Sequence, residues 1–266
     1  MLCIIGALFA DWQSQFRENR QLKYFANYTD FKRAINNDVN NNKNENKYTI
    51  LAMSVNDFET YKDLDYSLFK NDKNNVNILD NKSLFGIYMN NSSKQKYIPP
   101  IYCYNYKNKT TILNSDDNEC DVIVKPNIGY GGIGTFVTKS TKINYELKNC
   151  ITMKYIPHTV LYSGHFLVMN GNILKKIYFY TQVKASNGVI YKGRIINYDE
   201  LSSLSIDDSI FDDIFKDLKY SGFACVDFTI VDSNIYIFEI NPRIGGSLVF
   251  NKSQFDSFID VLHKII

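Results

Sequence analysis

The stretch that most constrains how this chain can fold is residues 222–247, GFACVDFTIVDSNIYIFEINPRIGGS. Two runs in which apolar residues alternate with other residues flank the turn-forming Asp232, Ser233 and Asn234. Alternation interrupted by turn residues is typical of a β-hairpin, because side chains along a strand point to opposite faces in turn. The sequence therefore predicts a hairpin close to the end of the chain.

The register of this hairpin decides what its polar residues can do. If the loop has three residues, Val231 pairs with Ile235, and Asp227 lies directly opposite Glu239, with Asn241 on the same face. Two facing carboxylates repel each other unless a cation lies between them, and hard oxygen ligands suit Mg²⁺. A loop of two residues shifts the register by one and separates the acids. The predicted metal site thus depends on the turn.

The overall composition excludes some classes of protein. A chain of 266 residues with 45% hydrophobic and 22% charged residues has enough apolar side chains for a globular core. A net charge of +2 indicates neither a nucleic-acid-binding nor a membrane-binding surface. We expect a soluble protein, since no stretch approaches the length of a transmembrane helix.

Cysteine usage indicates a reducing compartment. The five cysteines are odd in number, scattered, and form no CxxC pair: Cys3, Cys103, Cys120, Cys150 and Cys225. This argues against a disulfide framework or a zinc site and predicts free thiols in the cytoplasm.

Residues 1–80 are predicted to form a small α/β unit with a parallel sheet. We expect strands at 2–5 and 48–55, helices around 11–20, 29–35 and after Asn56, and an exposed polar loop at 36–47. No glycine-rich fingerprint follows either strand, so this unit is not an independent dinucleotide-binding domain.

A short helix is predicted at 82–89, with Lys82 in its first turn. The helix dipole disfavours a cation there, so the side chain either points to solvent or has an anionic partner. The spacing alone favours a Lys82 side chain that points to solvent.

The second informative stretch is 121–139, DVIVKPNIGYGGIGTFVTK. It predicts a strand at 121–125, a glycine-rich loop, and a strand that resumes at Phe136. Such a loop can direct successive N–H groups at phosphates, and Lys125 adds a positive charge. A hairpin tip in which glycines serve only tight turning is the alternative. The pattern is neither a P-loop nor a Rossmann turn.

The rest of the chain reads as strands followed by helices. We expect a strand at 150–157 whose backbone can contact the edge of an adenine base. We also expect a hairpin at 161–183, and a lone histidine in such a strand, here His165, is more often structural than catalytic. The cationic stretch 184–194 is either a mobile lid or a surface loop. Amphipathic helices are predicted at 207–219 and 253–266.

Taken together, VIVKPNIGYGGIGT and GFACVDFTIVDSNIYIFEINPRIGGS resemble the ATP-grasp superfamily over about residues 79 to 250. The segment EINPRIGGS looks most like the carbamoyl-phosphate-synthase and biotin-carboxylase branch. The resemblance implies an α/β (α+β) fold in which a small N-terminal unit (1–80) precedes two α+β subdomains (81–155 and 156–266) that sandwich the nucleotide.

The resemblance also implies an ADP-forming ligase that activates a carboxylate of a small molecule or peptide as an acyl phosphate and joins it to an amine. It assigns Mg²⁺ to Asp227, Glu239 and Asn241, and stabilisation of the transferred phosphoryl group to Arg243. It assigns ATP to a larger set of residues: Lys82, Lys125, Gly129, Gly131, Gly132, Gly134, Met153, Lys154, Tyr155 and Ile156.

The chain departs from the family pattern in one region. The family commonly places acids in the adenine hinge, one of them holding the ribose, whereas residues 153–162 contain none. The short N-terminal unit leaves acceptor recognition to a partner subunit or a second copy. A kinase-like phosphotransferase is one alternative to the ligase, and a regulatory nucleotide-binding module, which the missing hinge acids favour, is another.

Overall fold

The computed structural model of the chain describes residues 2–5, 12–40, 49–51, 72–114, 118–129, 132–183, 199–201, 203–204 and 207–265. The described strands form three sheets, each built from a continuous part of the sequence. None of the helices in these residues has the length and apolar character needed to cross a membrane.

The first sheet is parallel, with the order β2-β1-β3. Its strands and helices are β1 (Leu2–Ile5), α1 (Trp12–Glu18), β2 (Leu22–Phe25), α2 (Tyr28–Asn40) and β3 (Thr49–Leu51). This confirms the buried first strand and the parallel sheet. The predicted loop at 36–47 is wrong over 36–40, because helix α2 continues to Asn40. Residues 41–48 and the helix predicted after Asn56 lie outside the described residues.

The second sheet is antiparallel, with the order β5-β4-β8-β6-β7. Its elements are α3 (Lys73–Asp80), α4 (Lys82–Asn90), β4 (Ile101–Tyr106), β5 (Lys109–Ile112), β6 (Asp121–Pro126), β7 (Phe136–Lys139) and β8 (Cys150–Lys154). Helix α4 lies directly on this sheet, since a Cβ at Gly86 would come within 2.8 Å of the Ile151 side chain. The helix predicted at 82–89 is thus confirmed, whereas α3 was not predicted.

The third sheet is also antiparallel, with the order β11-β10-β9-β12-β13. It comprises β9 (Val160–Met169), β10 (Asn172–Gln182), β11 (Asp199–Leu201), β12 (Gly222–Val231) and β13 (Asn234–Asn241), with helices α5 (Ser209–Asp217), α6 (Gly246–Phe250) and α7 (Lys252–His263). The hairpin at 161–183 and both amphipathic helices are confirmed. The cationic stretch 184–194 lies outside the described residues.

Hydrophobic cores cover both faces of the third sheet. One face packs against α3, α4 and α5 through residues such as Phe166, Phe211 and Phe228, and the other packs against α1 and α7 through Phe179 and Phe258. Strand β12 is therefore buried along its first eight residues. Burial on both sides fixes the polar side chains that this strand carries.

All five cysteines are free thiols. Burial raises the pKa of the Cys3 thiol to about 12 and also raises that of Cys103. The prediction that the chain has no disulfide framework is confirmed.

Candidate active site

The hairpin of β12 and β13 has the predicted pairing of Asp227 with Glu239, but its loop differs from the predicted one. Its loop has two residues, because Val231 pairs with Asn234, and Asp232 and Ser233 both have positive φ angles of 49° and 62°. Two consecutive positive φ angles match the twist of two-residue hairpin turns, so the predicted three-residue loop is wrong. Such a turn on its own places the two acids out of register.

A β-bulge at Phe238 restores the register. Phe228 pairs with Ile237 and Asp227 pairs with Glu239, so Phe238 is an extra residue in β13. The bulge also changes which side chains are buried: Ile237 is fully buried, whereas Phe238 is only half-buried. The predicted alternation through Tyr236 and Phe238 is therefore wrong, although the opposition of Asp227 and Glu239 is confirmed.

Hydrogen bonds fix the oxygen-bearing side chains on this face of the hairpin. Asp227 is 5% exposed, and its Oδ1 accepts a hydrogen bond of 2.6 Å from the Ser163 hydroxyl on β9. The Asn241 amide donates to Glu239 Oε1 at 3.4 Å. Two carboxylates and an amide oxygen are hard oxygen ligands of the kind that Mg²⁺ prefers, so these three side chains fit that ion.

Lys82 has an anionic partner. Its Nζ lies 3.0 Å from Glu239 Oε2 and donates to the Gly129 carbonyl at 3.4 Å. The alternative in which Lys82 points to solvent is therefore wrong. Asn81 caps helix α4 through its side chain and leaves the lysine free to reach across to the hairpin.

Two further cations belong to the same region. Lys125 is 9% exposed, and its Nζ lies 4.8 Å from the centroid of the bulged Phe238 ring, a cation–π contact. The Arg243 guanidinium donates to Asn241 Oδ1 at 2.9 Å. Lys82 pairs directly with Glu239, and Lys125 and Arg243 contact residues next to it on β13 or in the loop that follows.

The glycine-rich loop between β6 and β7 reaches these charges through the Gly129 carbonyl, which accepts the hydrogen bond from Lys82. Gly132 and Gly134 have φ angles of 75° and 74°, where an L side chain is strained. A Cβ at Gly134 would also come within 3.0 Å of Pro126 Cγ. Gly131 lies outside the described residues.

The cleft between the second and third sheets brings most of these groups together. It holds about 900 Å³ of free space, open solvent at its mouth included. The predicted residues that line it are Lys82, Lys125, Gly129, Gly132, Lys154, Tyr155, Ile156, Asp227 and Glu239. Met153 instead packs in the hydrophobic core.

In the segment 150–157, which is expected to contact the base, two backbone N–H groups already form hydrogen bonds within the protein. The amide of Lys154 donates to the Pro100 carbonyl at 2.7 Å, and that of Tyr155 donates to the Asp121 carbonyl at 2.9 Å. These two N–H groups are not offered to a ligand, so a base at this edge has to use other backbone groups.

His158 lines the cleft, and its position was not predicted. Its Nδ1 lies 2.7 Å from the Ile156 carbonyl, which can only accept, so Nδ1 carries the proton. Its Nε2 is buried and has no partner among the described residues. Burial and the nearby Lys125 lower the pKa of this imidazole, against the effect of the backbone hydrogen bond.

Asp80, at the end of α3, is a third acid that sequence reasoning missed. Burial raises the pKa of its carboxyl, while Arg243 and Lys82 act to lower it and Glu239 adds to the rise. The sequence signal was available: Asp80 directly precedes the Asn81 cap and Lys82. The site therefore has acidic and basic groups close together on one side of the cleft.

The family model of the ATP-grasp domain matches residues 89–247, more than half of the chain. The chain belongs to the ATP-grasp family, and the fold described above is the ATP-grasp fold, a mixed α/β architecture. By sequence, no curated protein matches it.

Solved structures of several ligases are similar to this fold. D-alanine–D-alanine ligase from Bacillus anthracis is 12% identical with a TM-score of 0.58, over 98% of this chain and 94% of that one. Phosphoribosylamine–glycine ligase from Thermotoga maritima is 13% identical with a TM-score of 0.53, over 94% and 70%. L-amino acid ligase from Bacillus licheniformis is 13% identical with a TM-score of 0.51, over 94% and 68%. At this identity, the likeness concerns the fold.

Proposed function

We propose that this chain is an ATP-dependent ligase that joins a carboxylate to an amine and releases ADP and phosphate. The observation that carries the proposal is the convergence of Lys82, Lys125 and the glycine-rich loop on the Asp227–Glu239 pair in a single cleft. Cations, backbone amides and paired acids are what the transfer of a phosphoryl group requires of a protein.

ATP fits the cleft in one orientation. The base lies against the backbone of Lys154–Ile156, and the triphosphate extends beneath the glycine-rich loop towards Lys125 and Lys82. Lys154, Tyr155 and Ile156 line one part of the cleft, and Lys82 and Lys125 supply positive charge to the rest of its lining. Gly129 and Gly132 line the cleft, and their missing side chains allow the backbone to approach the phosphates.

Asp227, Glu239 and Asn241 are the residues that would hold Mg²⁺. When bound, the ion neutralises negative charge on the phosphates. Ser163 fixes the Asp227 carboxylate by a hydrogen bond of 2.6 Å, so that acid is already oriented. Glu239 would hold the ion in place of its present contact with Lys82, and the lysine would then be available to the phosphates.

The reaction then proceeds by two displacements. A substrate carboxylate oxygen attacks the γ-phosphorus of ATP, and the bond from that phosphorus to the ADP oxygen breaks. The amine attacks the resulting acyl phosphate at its carbonyl carbon, loses a proton, and expels inorganic phosphate. Arg243 binds the transferred phosphoryl oxygens through its planar fork, and the protein needs no covalent nucleophile.

A second candidate function is a regulatory module that binds nucleotide without turnover. It is favoured by the acid-free hinge, since residues 153–162 contain neither Asp nor Glu. A phosphotransferase that stops at a phosphorylated product is the alternative among enzymes. The motif EINPRIGGS favours the carbamoyl-phosphate-synthase and biotin-carboxylase branch. We also propose that the protein is cytoplasmic and that a partner subunit or a second copy completes the binding site for the second substrate.

A screen for ADP formation separates these functions. Purified protein is incubated with Mg-ATP and pairs of amino and hydroxy acids, and ADP is measured with each acid alone and in pairs. ADP that requires both a carboxylate and an amine supports the ligase. ADP or a phosphorylated product without an amine supports the phosphotransferase. Thermal stabilisation by Mg-ATP with no ADP from any mixture contradicts the ligase and supports the module.

A further inference from the structure

The loop that carries Arg243 is held at several points. Residues 242–245 connect β13 to the first turn of α6, which contains Ser247, and Ile244 within the connection is fully buried. The Arg243 amide donates to the Asn241 carbonyl at 2.7 Å, next to the contact between their side chains. The guanidinium therefore follows the position of this loop.

A buried histidine lies directly under the loop. His165 on β9 is 1% exposed, and its Nε2 lies 2.6 Å from the Ser247 hydroxyl. A Cβ at Gly245 would come within 2.6 Å of His165 Cε1 and 2.5 Å of Cys225 Sγ. The backbone of the loop thus rests on the imidazole, with no room for a side chain between them.

The rest of the imidazole is fixed by apolar packing. Its strand lies between β10 and β12, and its ring meets the Phe179 ring edge-on at a centroid distance of 5.5 Å. Burial lowers the pKa of His165 to about 3, so the ring is neutral near pH 7. Its Nδ1 has no partner within the described parts of the chain, which leaves Ser247 as the polar anchor.

We propose that His165 is a positioning residue that, by holding Ser247, aligns Arg243 with the transferred phosphoryl group. This rests on the function proposed above. Misplacing a catalytic group by about 1 Å can cost two orders of magnitude in rate, and a single hydrogen bond from a rigid strand prevents such movement in the loop. Lys82 and Lys125, the lysines proposed to contact the nucleotide, lie on α4 and β6, so their positions do not depend on His165.

The test compares the affinity for Mg-ADP with that for Mg-ADP plus aluminium fluoride, which mimics the transferred phosphoryl group. His165→Leu removes the hydrogen bond, and His165→Gln places an amide near the position of Nε2. Ile177→Val is the control, because Ile177 pairs with His165 across the sheet and lies in the same core without being part of the loop. Hydrogen exchange of residues 242–250 reports on the loop.

We expect His165→Leu to bind Mg-ADP like the wild type but to lose at least about tenfold in affinity for the fluoride complex, with faster exchange in the loop. His165→Gln restores most of the loss, and Ile177→Val shows none. If both affinities stay at wild-type values in His165→Leu, or if Ile177→Val loses as much, the positioning role is wrong while the proposed function stands. If the wild type itself gains no affinity from aluminium fluoride, the phosphoryl site fails, and this inference fails with it.

Discussion

The two walls of the cleft are built in opposite ways. The hairpin wall, formed by β12 and β13, lies between two hydrophobic cores, and its Asp227 is 5% exposed. The glycine loop, described over residues 127–129 and 132–135, connects β6 to the edge strand β7 of the second sheet, and its Ile128 and Ile133 are 67% and 70% exposed. The hairpin wall is fixed by packing on both faces, whereas the loop is anchored at Asn127 and carries exposed apolar side chains beyond it.

This difference matches the tasks proposed for the two walls. Metal ligands must hold their geometry, so they belong on rigid strands whose rotamers are locked by neighbours. A cover over phosphates has to let the nucleotide enter and leave, which suits a segment with few buried contacts. The predictions below test the hairpin wall first and the glycine loop last.

The largest effect is expected for Glu239→Gln. It removes one carboxylate from the metal set and the partner of Lys82, so turnover should fall by about 10²–10³-fold. ADP formation and thermal unfolding are measured together, with Glu200→Gln as the control, since Glu200 on β11 contacts Gln254 away from the cleft. Wild-type turnover in Glu239→Gln would remove this residue from the mechanism.

The buried His165, on the strand next to the hairpin wall, makes the stability of the protein depend on pH. The pKa of His165 is lowered to about 3 in the folded protein, below its unfolded value of about 6.5. The stabilisation from the neutral ring is present above pH 6.5 and is lost as the pH falls towards 3. Between pH 7 and pH 5 the wild type should lose about 2 kcal/mol more than His165→Gln.

Denaturant unfolding at several pH values checks this expectation. Comparison with His165→Gln isolates the contribution of His165, because the two proteins differ at this residue alone. Parallel pH profiles for the two proteins would show that His165 is not held neutral by burial.

A smaller effect is expected for Ser163→Ala. The serine orients Asp227 through a buried hydrogen bond, so its loss should weaken Mg²⁺ binding in the presence of ADP by roughly tenfold. Thr229→Val is a matched control, because Thr229 donates a similar bond to the Val160 carbonyl farther along β12. Equal losses of Mg²⁺ affinity in the two variants would indicate a general loss of stability instead.

The smallest effect concerns the glycine loop. Gly134→Ala places a Cβ at a φ of 74° and 3.0 Å from Pro126 Cγ, which should cost about 1 kcal/mol. At Gly129 a Cβ meets Pro126 Cβ only at 4.0 Å, so Gly129→Ala should leave thermal unfolding almost unchanged. A larger loss at position 129 than at 134 would contradict the backbone geometry of this loop.

Local patterns predicted most of the fold. The amphipathic helices, the hairpin at 161–183 and the strands around the glycine loop follow from apolar periodicity and turn residues, which act over a few neighbours. The same rules missed α3 and the helical continuation to Asn40, where asparagine-rich sequence has weak propensity.

The candidate site was only partly predictable. The residue types in the hairpin and the glycine loop were enough to place acids, lysines and glycines in the right stretches. The turn itself was predicted wrongly, and the pairing of Asp227 with Glu239 holds because a bulge compensates for the shorter loop. His158 gave no signal that would separate it from ordinary polar residues, whereas the signal for Asp80, its place directly before Asn81 and Lys82, was overlooked.

The sequence by itself therefore determined which chemical groups are available and on which strands or loops they lie, because propensity, alternation and turn chemistry are local properties. Only the tertiary structure decided which of these groups meet. The Lys82–Glu239 ion pair and the bond between His165 and Ser247 join elements far apart in the chain. Such contacts form when sheets and helices bury their apolar faces together, and no local pattern encodes that packing.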